Sequence, residues 1–211
     1  MSRTAPSLAS HSIFNVQEKQ MRFRPRVIFS ACLASVLAGC ASAPAPANPL
    51  ALVPHVDLAR FMGDWYVIAS IPTWLEKGAH NPKESYRLNA DGSVATTFSF
   101  NADSADGPVK TYTSKGIIVD PATNAIWGQQ YVWPFKADYR ISYLSADYGQ
   151  VVIARDKRDY VWIMSRSPTM SETDLQALTE FVRAQGYDTA KLQRVPQSHA
   201  DVPSDPSATG R

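Results

Sequence analysis

Beyond residue 40 the sequence contains no cysteine; its only two are Cys32 and Cys40. A domain built from the remainder has neither a disulfide nor a thiol nucleophile. The histidines beyond that point, His55, His80 and His199, stand far apart, and no HExxH or HxxxH spacing occurs. The usual helical zinc signatures are therefore missing, and no metal or cofactor is expected. A Gly-x-Ser-x-Gly nucleophile elbow is missing as well, so the reading is that this is not an enzyme. Positive charge is scarce where it would matter. Arg3, Lys19, Arg22, Arg24 and Arg26 all precede residue 40, opposed there only by Glu18. Taking these from totals of 21 basic and 19 acidic residues leaves 16 against 18, so the formal +2 becomes −2 for the rest of the chain. That removes the basic footprint that phosphates require and excludes nucleic acid as an expected partner. The only long apolar run, Val27 to Ala38, is too short for a spanning helix.

With 45% hydrophobic and 19% charged residues over 211 positions, the composition is that of one globular domain with additions. Residues 21–39 have the grammar of an export signal: a basic head (Arg22, Arg24, Arg26), an apolar middle, and then Leu37-Ala38-Gly39 before Cys40. Leu-Ala-Gly-Cys resembles the bacterial lipobox. The resemblance implies that Cys40 receives a diacylglycerol, that the peptide is cut before it, and that the new amine is acylated, as with palmitate. Since Ala41 and not Asp follows the cysteine, it further implies the outer membrane, with the domain facing the periplasm. Residues 1–20 carry no apolar run and read as an extension before a start at Met21. Residues 40–54, with Pro44, Pro46, Pro49 and Pro54, read as a lipidated tether, and residues 197–211 as a disordered tail. The domain is expected at 55–196.

Within that span the pattern is all-β. Eight β-branched and aromatic runs are separated by turn residues: Gly63 to Ile71, Pro82 to Asn89, Ser93 to Asn101, Val109 to Val119, Ala125 to Val132, Ala137 to Ser145, Tyr148 to Arg155, and Asp159 to Arg166. Turns such as Ala90-Asp91-Gly92 and Ala146-Asp147 are short, which favours up-and-down antiparallel neighbours. After Pro168 the period becomes helical: Leu175, Leu178, Phe181 and Val182, with Ser171 and Asp174 at the start and Gly186 at the end. The expected fold is an eight-stranded up-and-down antiparallel barrel with one C-terminal α-helix packed on its wall. Lys191 to Val195 is read as a final edge strand.

Three local patterns then agree. Asp57 to Tyr66, containing Gly63-Asp64-Trp65, resembles the opening signature of the lipocalins. Ala146-Asp147-Tyr148 resembles the second, with Ala146 where the family often has Thr. Asp159 to Thr169, containing Arg166, resembles the third. The whole resembles the bacterial lipocalin group of outer-membrane lipoproteins, relatives of apolipoprotein D. The resemblance implies that Gly63, Trp65 and Arg166 form a closed end in which the arginine crosses the indole. Their role is expected to be structural.

An eight-stranded barrel closed at one end leaves room for one small ligand. Period-two parity from Trp65 places Val67, Ala69 and Ile71 inside, and Met164, Trp162 and Tyr160 beside them. The candidate ligand-binding residues are Trp162, Tyr160, Phe98, Phe100, Tyr86, Tyr112, Trp127, Tyr139 and Tyr143. Glu84 and Asp147 are read as surface and turn residues. Such a lining suits a fatty acid or lysophospholipid. Trp74, Leu75 and Trp133 fall at the open end, as a gate or membrane contact. The expected function is non-catalytic lipid binding or transport for envelope maintenance. The competing reading is a protein-binding barrel, a protease inhibitor or envelope scaffold, whose interior would be filled by its own aromatics. A homodimer is left open.

Overall fold

The computed structural model describes residues 49–198. The expectations for residues 1–20, the signal peptide 21–39, Cys40 and most of the tether and tail lie outside the described residues. A four-residue helix α1 (Leu58–Phe61) leads into β1 (Gly63–Ile71). There follow β2 (Ala79–Leu88), β3 (Val94–Ala102), β4 (Val109–Ile118), β5 (Ile126–Val132), β6 (Phe135–Leu144), β7 (Gln150–Ala154) and β8 (Val161–Ser165). Helix α2 (Glu172–Ala184) and a two-residue strand β9 (Gln193–Arg194) complete the order. Each of β1 to β7 pairs antiparallel with the next, and β1 pairs with both β8 and β2, so the sheet closes into a barrel. Only the first part of β1, Gly63 to Tyr66, pairs with β2; β9 takes over its edge at Ala69 and Ser70.

Alternation along β3 sorts the barrel: Val94, Thr96, Phe98 and Phe100 are buried while their neighbours are less so. Two apolar clusters result. One lies inside the barrel; the other, with Ile68, Ile163, Leu175, Leu178 and Val182, lies between its wall and α2. Helix α2 starts where the Ser171 side chain accepts from the Asp174 N–H and stops before Gly186, whose φ of +89° is left-handed. Its C-terminal side is fixed to the barrel by the Tyr187 hydroxyl, which takes the Arg155 N–H at 2.8 Å and faces the Arg155 carbonyl at 3.0 Å.

Two β-bulges correct the parity reading. A register shift between Val67 and Ala69 inverts β1, so Ala69 and Ile71 pack with the α2 cluster and Ser70 turns toward the interior. A second, between Ile141 and Tyr143 in β6, turns Tyr143 outward against Phe181 of α2, ring centroids 5.6 Å apart. Tyr143 is therefore not an interior residue. The domain boundaries also move. Leu50 and Val53 are buried, and the Val53 N–H bonds the Ile141 carbonyl at 3.1 Å. Thus the last residues of the expected tether belong to the packed domain. At the other end Gln197 donates to the Val67 and Pro82 carbonyls, both at 3.0 Å, bridging the place where β1 and β2 part.

Candidate binding site

The three signatures meet at one end of the barrel and seal it. Asp57 caps α1 through Arg60, and Arg60 lies over the Tyr148 ring at 4.0 Å while also reaching the Ala146 carbonyl. Helix α1 thereby holds Phe61 across the opening. Phe61, Trp65, Tyr86 and Trp127 form a plug, with Phe61 5.2 to 5.5 Å from each of the other three rings. The Trp65 Nε1–H donates to the Phe61 carbonyl at 2.9 Å. Over the indole, 3.9 Å from its centroid, lies the Arg166 guanidinium. It donates to the carbonyls of Arg60, Phe61, Met62 and Asp64 at 2.8 to 3.0 Å. Gly63 has a φ of +95°, and a Cβ there would sit 3.3 Å from an Arg166 nitrogen; both favour glycine.

Beyond the plug the barrel encloses a cavity of about 260 Å³. Five of the candidate residues line it: Trp162, Tyr160, Phe98, Tyr112 and Tyr139. Tyr86 and Trp127 lie in the plug instead, because they sit one step nearer the closed end on their strands. Phe100 stands beside Phe98 and Tyr112, at 5.4 and 6.2 Å, and borders the groove where β1 and β2 separate. Tyr143 is outside. The interior is therefore not filled by its own aromatics, as the protein-binding reading requires.

The polar lining is what the sequence reading missed. Glu84 sits on β2 opposite both Trp65 and Phe98 and faces the cavity; it is not a surface residue. Its Oε2 accepts from the Tyr86 hydroxyl, which also meets the Tyr139 hydroxyl at 2.7 Å. Burial, with the Glu76 carboxylate adding repulsion, pushes Glu84 up to about 8. Burial likewise carries the Tyr139 phenol well above its ordinary value. Gln129 joins the same wall, its amide donating to Thr96 Oγ1 at 3.2 Å. Simple parity would have found both, since Glu84 is two residues from Tyr86 and Gln129 two from Trp127.

At the mouth, a 3-10 turn at Trp74–Glu76 folds over the rim. Glu76 ties it down by accepting the Thr73 N–H at 2.6 Å and the Trp162 indole N–H at 2.8 Å. Arg155, at the end of β7, supplies a cation to the lining. Its buried Nε makes no hydrogen bond among the described residues and lies 3.3 Å from an Asp159 oxygen. Around this end Trp74, Val132, Trp133 and Phe135 are 68 to 82% exposed.

Comparison with known proteins decides the family. Residues 56–197 match the model of the lipocalin-like domain. The chain is a lipocalin. It is 29% identical over 178 residues to the outer membrane lipoprotein Blc of Escherichia coli K12, covering 84% of this chain and 98% of that one. Temperature-induced lipocalin-1 of Arabidopsis thaliana is 31% identical over 70% of this chain and 82% of its own. Apolipoprotein D of Bos taurus is 25% identical over 65% and 75%. Among solved structures, insecticyanin of the tobacco hornworm Manduca sexta shares the fold at 15% identity, with a TM-score of 0.57 over 74% of this lipocalin and 89% of insecticyanin.

Proposed function

We propose that this lipocalin is a non-catalytic carrier of single-chain lipids, a fatty acid or lysophospholipid, held at the outer membrane through acylated Cys40. The observation that carries the reading is the aromatic cavity open at one end with Arg155 in its mouth. Trp162, Tyr160 and Phe98 offer an acyl chain apolar surface, while the guanidinium suits a carboxylate or phosphate. At about 260 Å³ the space falls just below the usual ~300–1,000 Å³ of ligand pockets, which favours one chain over two. A buried methylene gains ~0.8 kcal/mol on leaving water, but a bilayer offers the same gain. Lipids that sit loosely in membranes are thus the better cargo. The relatives named outer membrane lipoprotein support the location.

The rim supports it too. Trp74, Trp133 and Phe135 are exposed around the open end, and aromatic rings favour the membrane–water interface.

Titrating the full chain carrying Cys40→Ser with lysophospholipid is expected to quench Trp162 fluorescence saturably in the micromolar range. Trp162→Ala should weaken binding about tenfold, equivalent to ~1.4 kcal/mol, with the fold retained. Absence of saturable binding to any single-chain lipid would move the weight to a protein-binding role. Separately, Cys40→Ser in cells should leave the precursor unprocessed or release a soluble periplasmic species. Unchanged, membrane-bound and globomycin-insensitive protein would contradict the anchor.

A further inference from the structure

We infer that the cavity is built for a chain with an oxygen function, a hydroxyl or carbonyl, at its buried end as well as a charged head at the mouth. A hydroxylated medium-chain fatty acid has that chemistry; a plain alkyl tail does not. The inference rests on the single-chain reading above and names the lipid class within it.

The basis is the depth at which the polar groups lie. Arg155 is at the rim, two residues beyond the β6–β7–β8 level of Ile153, which pairs with Trp162. Glu84 and Tyr139 are at the bottom. Glu84 pairs with Trp65 of the plug, while Tyr139 stacks on Trp127 of the plug at 5.1 Å and bonds Tyr86 of the plug. Gln129, two residues past Trp127, completes this floor. A floor suited to a hydrocarbon terminus would be apolar. Here three of the residues around it carry polar groups, and the Glu84 Oε1 has no protein partner among the described residues.

Tyr139 and Gln129 keep their bonds to Tyr86 and Thr96, but an alkyl end pressed against that floor would cover the Glu84 carboxyl, whose Oε2 alone is bonded, and offer its other oxygen nothing in place of water. The small cavity leaves a chain little room to avoid the contact. A ligand oxygen at the same place can accept from the Glu84 carboxyl and exchange bonds with the Tyr139 hydroxyl. Burial supports this assignment of donor and acceptor, because a carboxyl pushed up to about 8 keeps its proton at neutral pH. Sites that hydrogen-bond a ligand hydroxyl discriminate strongly against the analogue lacking it, whereas apolar pockets barely distinguish the two.

The test compares plain carboxylic acids of eight, ten and twelve carbons with their ω-hydroxy counterparts by calorimetric titration of the full Cys40→Ser chain at pH 7. At one chain length the hydroxy acid should bind at least ~10-fold tighter, although it is the more water-soluble of the pair. Glu84→Leu should reverse that order, and Tyr139→Phe, which keeps the ring and so protects the fold, should reduce the preference. Tighter or equal binding of the plain acid at all three lengths would overturn the inference and leave the single-chain reading standing. Failure of both series and of lysophospholipid to bind would overturn both.

Discussion

Replacing Trp65 with alanine should destabilise the domain by about 3–5 kcal/mol, the cost of emptying a large buried aromatic site. Trp65 has no exposed surface. Its ring packs on Phe61, its indole N–H satisfies the Phe61 carbonyl, and Arg166 covers its outer face. The substitution removes all three at once, and α1, only four residues long, cannot hold Phe61 in place alone. Arg166→Ala should cost less, about 1–3 kcal/mol. It loses a cation–π contact worth ~1–2 kcal/mol when desolvated, and water can reach some of the four carbonyls it leaves. Urea unfolding followed by far-ultraviolet circular dichroism gives both numbers. If either variant lost ligand affinity with unchanged stability, these residues would belong to the binding site and not to the closed end.

The second large effect concerns Glu84. Its carboxyl is pushed from 4.5 to about 8 on folding, so folding takes up a proton between those values. The penalty is absent below pH 4.5, grows as the pH rises, and is complete once the pH passes about 8. At ~1.4 kcal/mol per pH unit the ceiling is about 5 kcal/mol. Because the carboxyl faces an open cavity and not packed side chains, about 2–4 kcal/mol is expected. Glu84→Gln keeps the shape and can still accept from Tyr86. It should therefore raise stability by that amount at pH 8.5 and by almost nothing at pH 4. Equal stabilisation at both values would mean that the carboxyl is not desolvated in the folded protein. A protein that retains so costly a group inside its barrel gains something from it other than stability.

The strands were legible because their turns are chemically explicit. Gly63 to Ile71 agrees at both ends, and the others shift by one to three residues. Gly63, Trp65 and Arg166 were legible through the family pattern, and the aromatic lining through alternation. What alternation could not reveal was its own interruption. Nothing in Val67-Ile68-Ala69 or Ile141-Ser142-Tyr143 announces a bulge, because Val67 and Ala69, like Ile141 and Tyr143, are apolar enough to face the barrel or the helix. Ala69, Ile71 and Tyr143 were therefore placed on the wrong face. Glu84 was misplaced for the opposite reason: its charge argued for the surface, while its position two residues from Tyr86 put it inside. Arg155 was read as the end of the Tyr148 to Arg155 run and drew no functional reading, because a cation at a strand end reads as solvated until Tyr187 of another element is seen to fix its backbone. The tether's end was obscured by composition, since Pro49 and Pro54 flank residues that are buried.

The cavity is expected to hold one single-chain lipid. Native mass spectrometry of the full Cys40→Ser chain, purified without detergent and then mixed with lysophospholipid, measures this directly. The expected spectrum contains a one-to-one complex displaced by the mass of a single-chain lipid, with the complex lost or weakened in Trp162→Ala. A spectrum of ligand-free protein alone, before and after the addition, would contradict it.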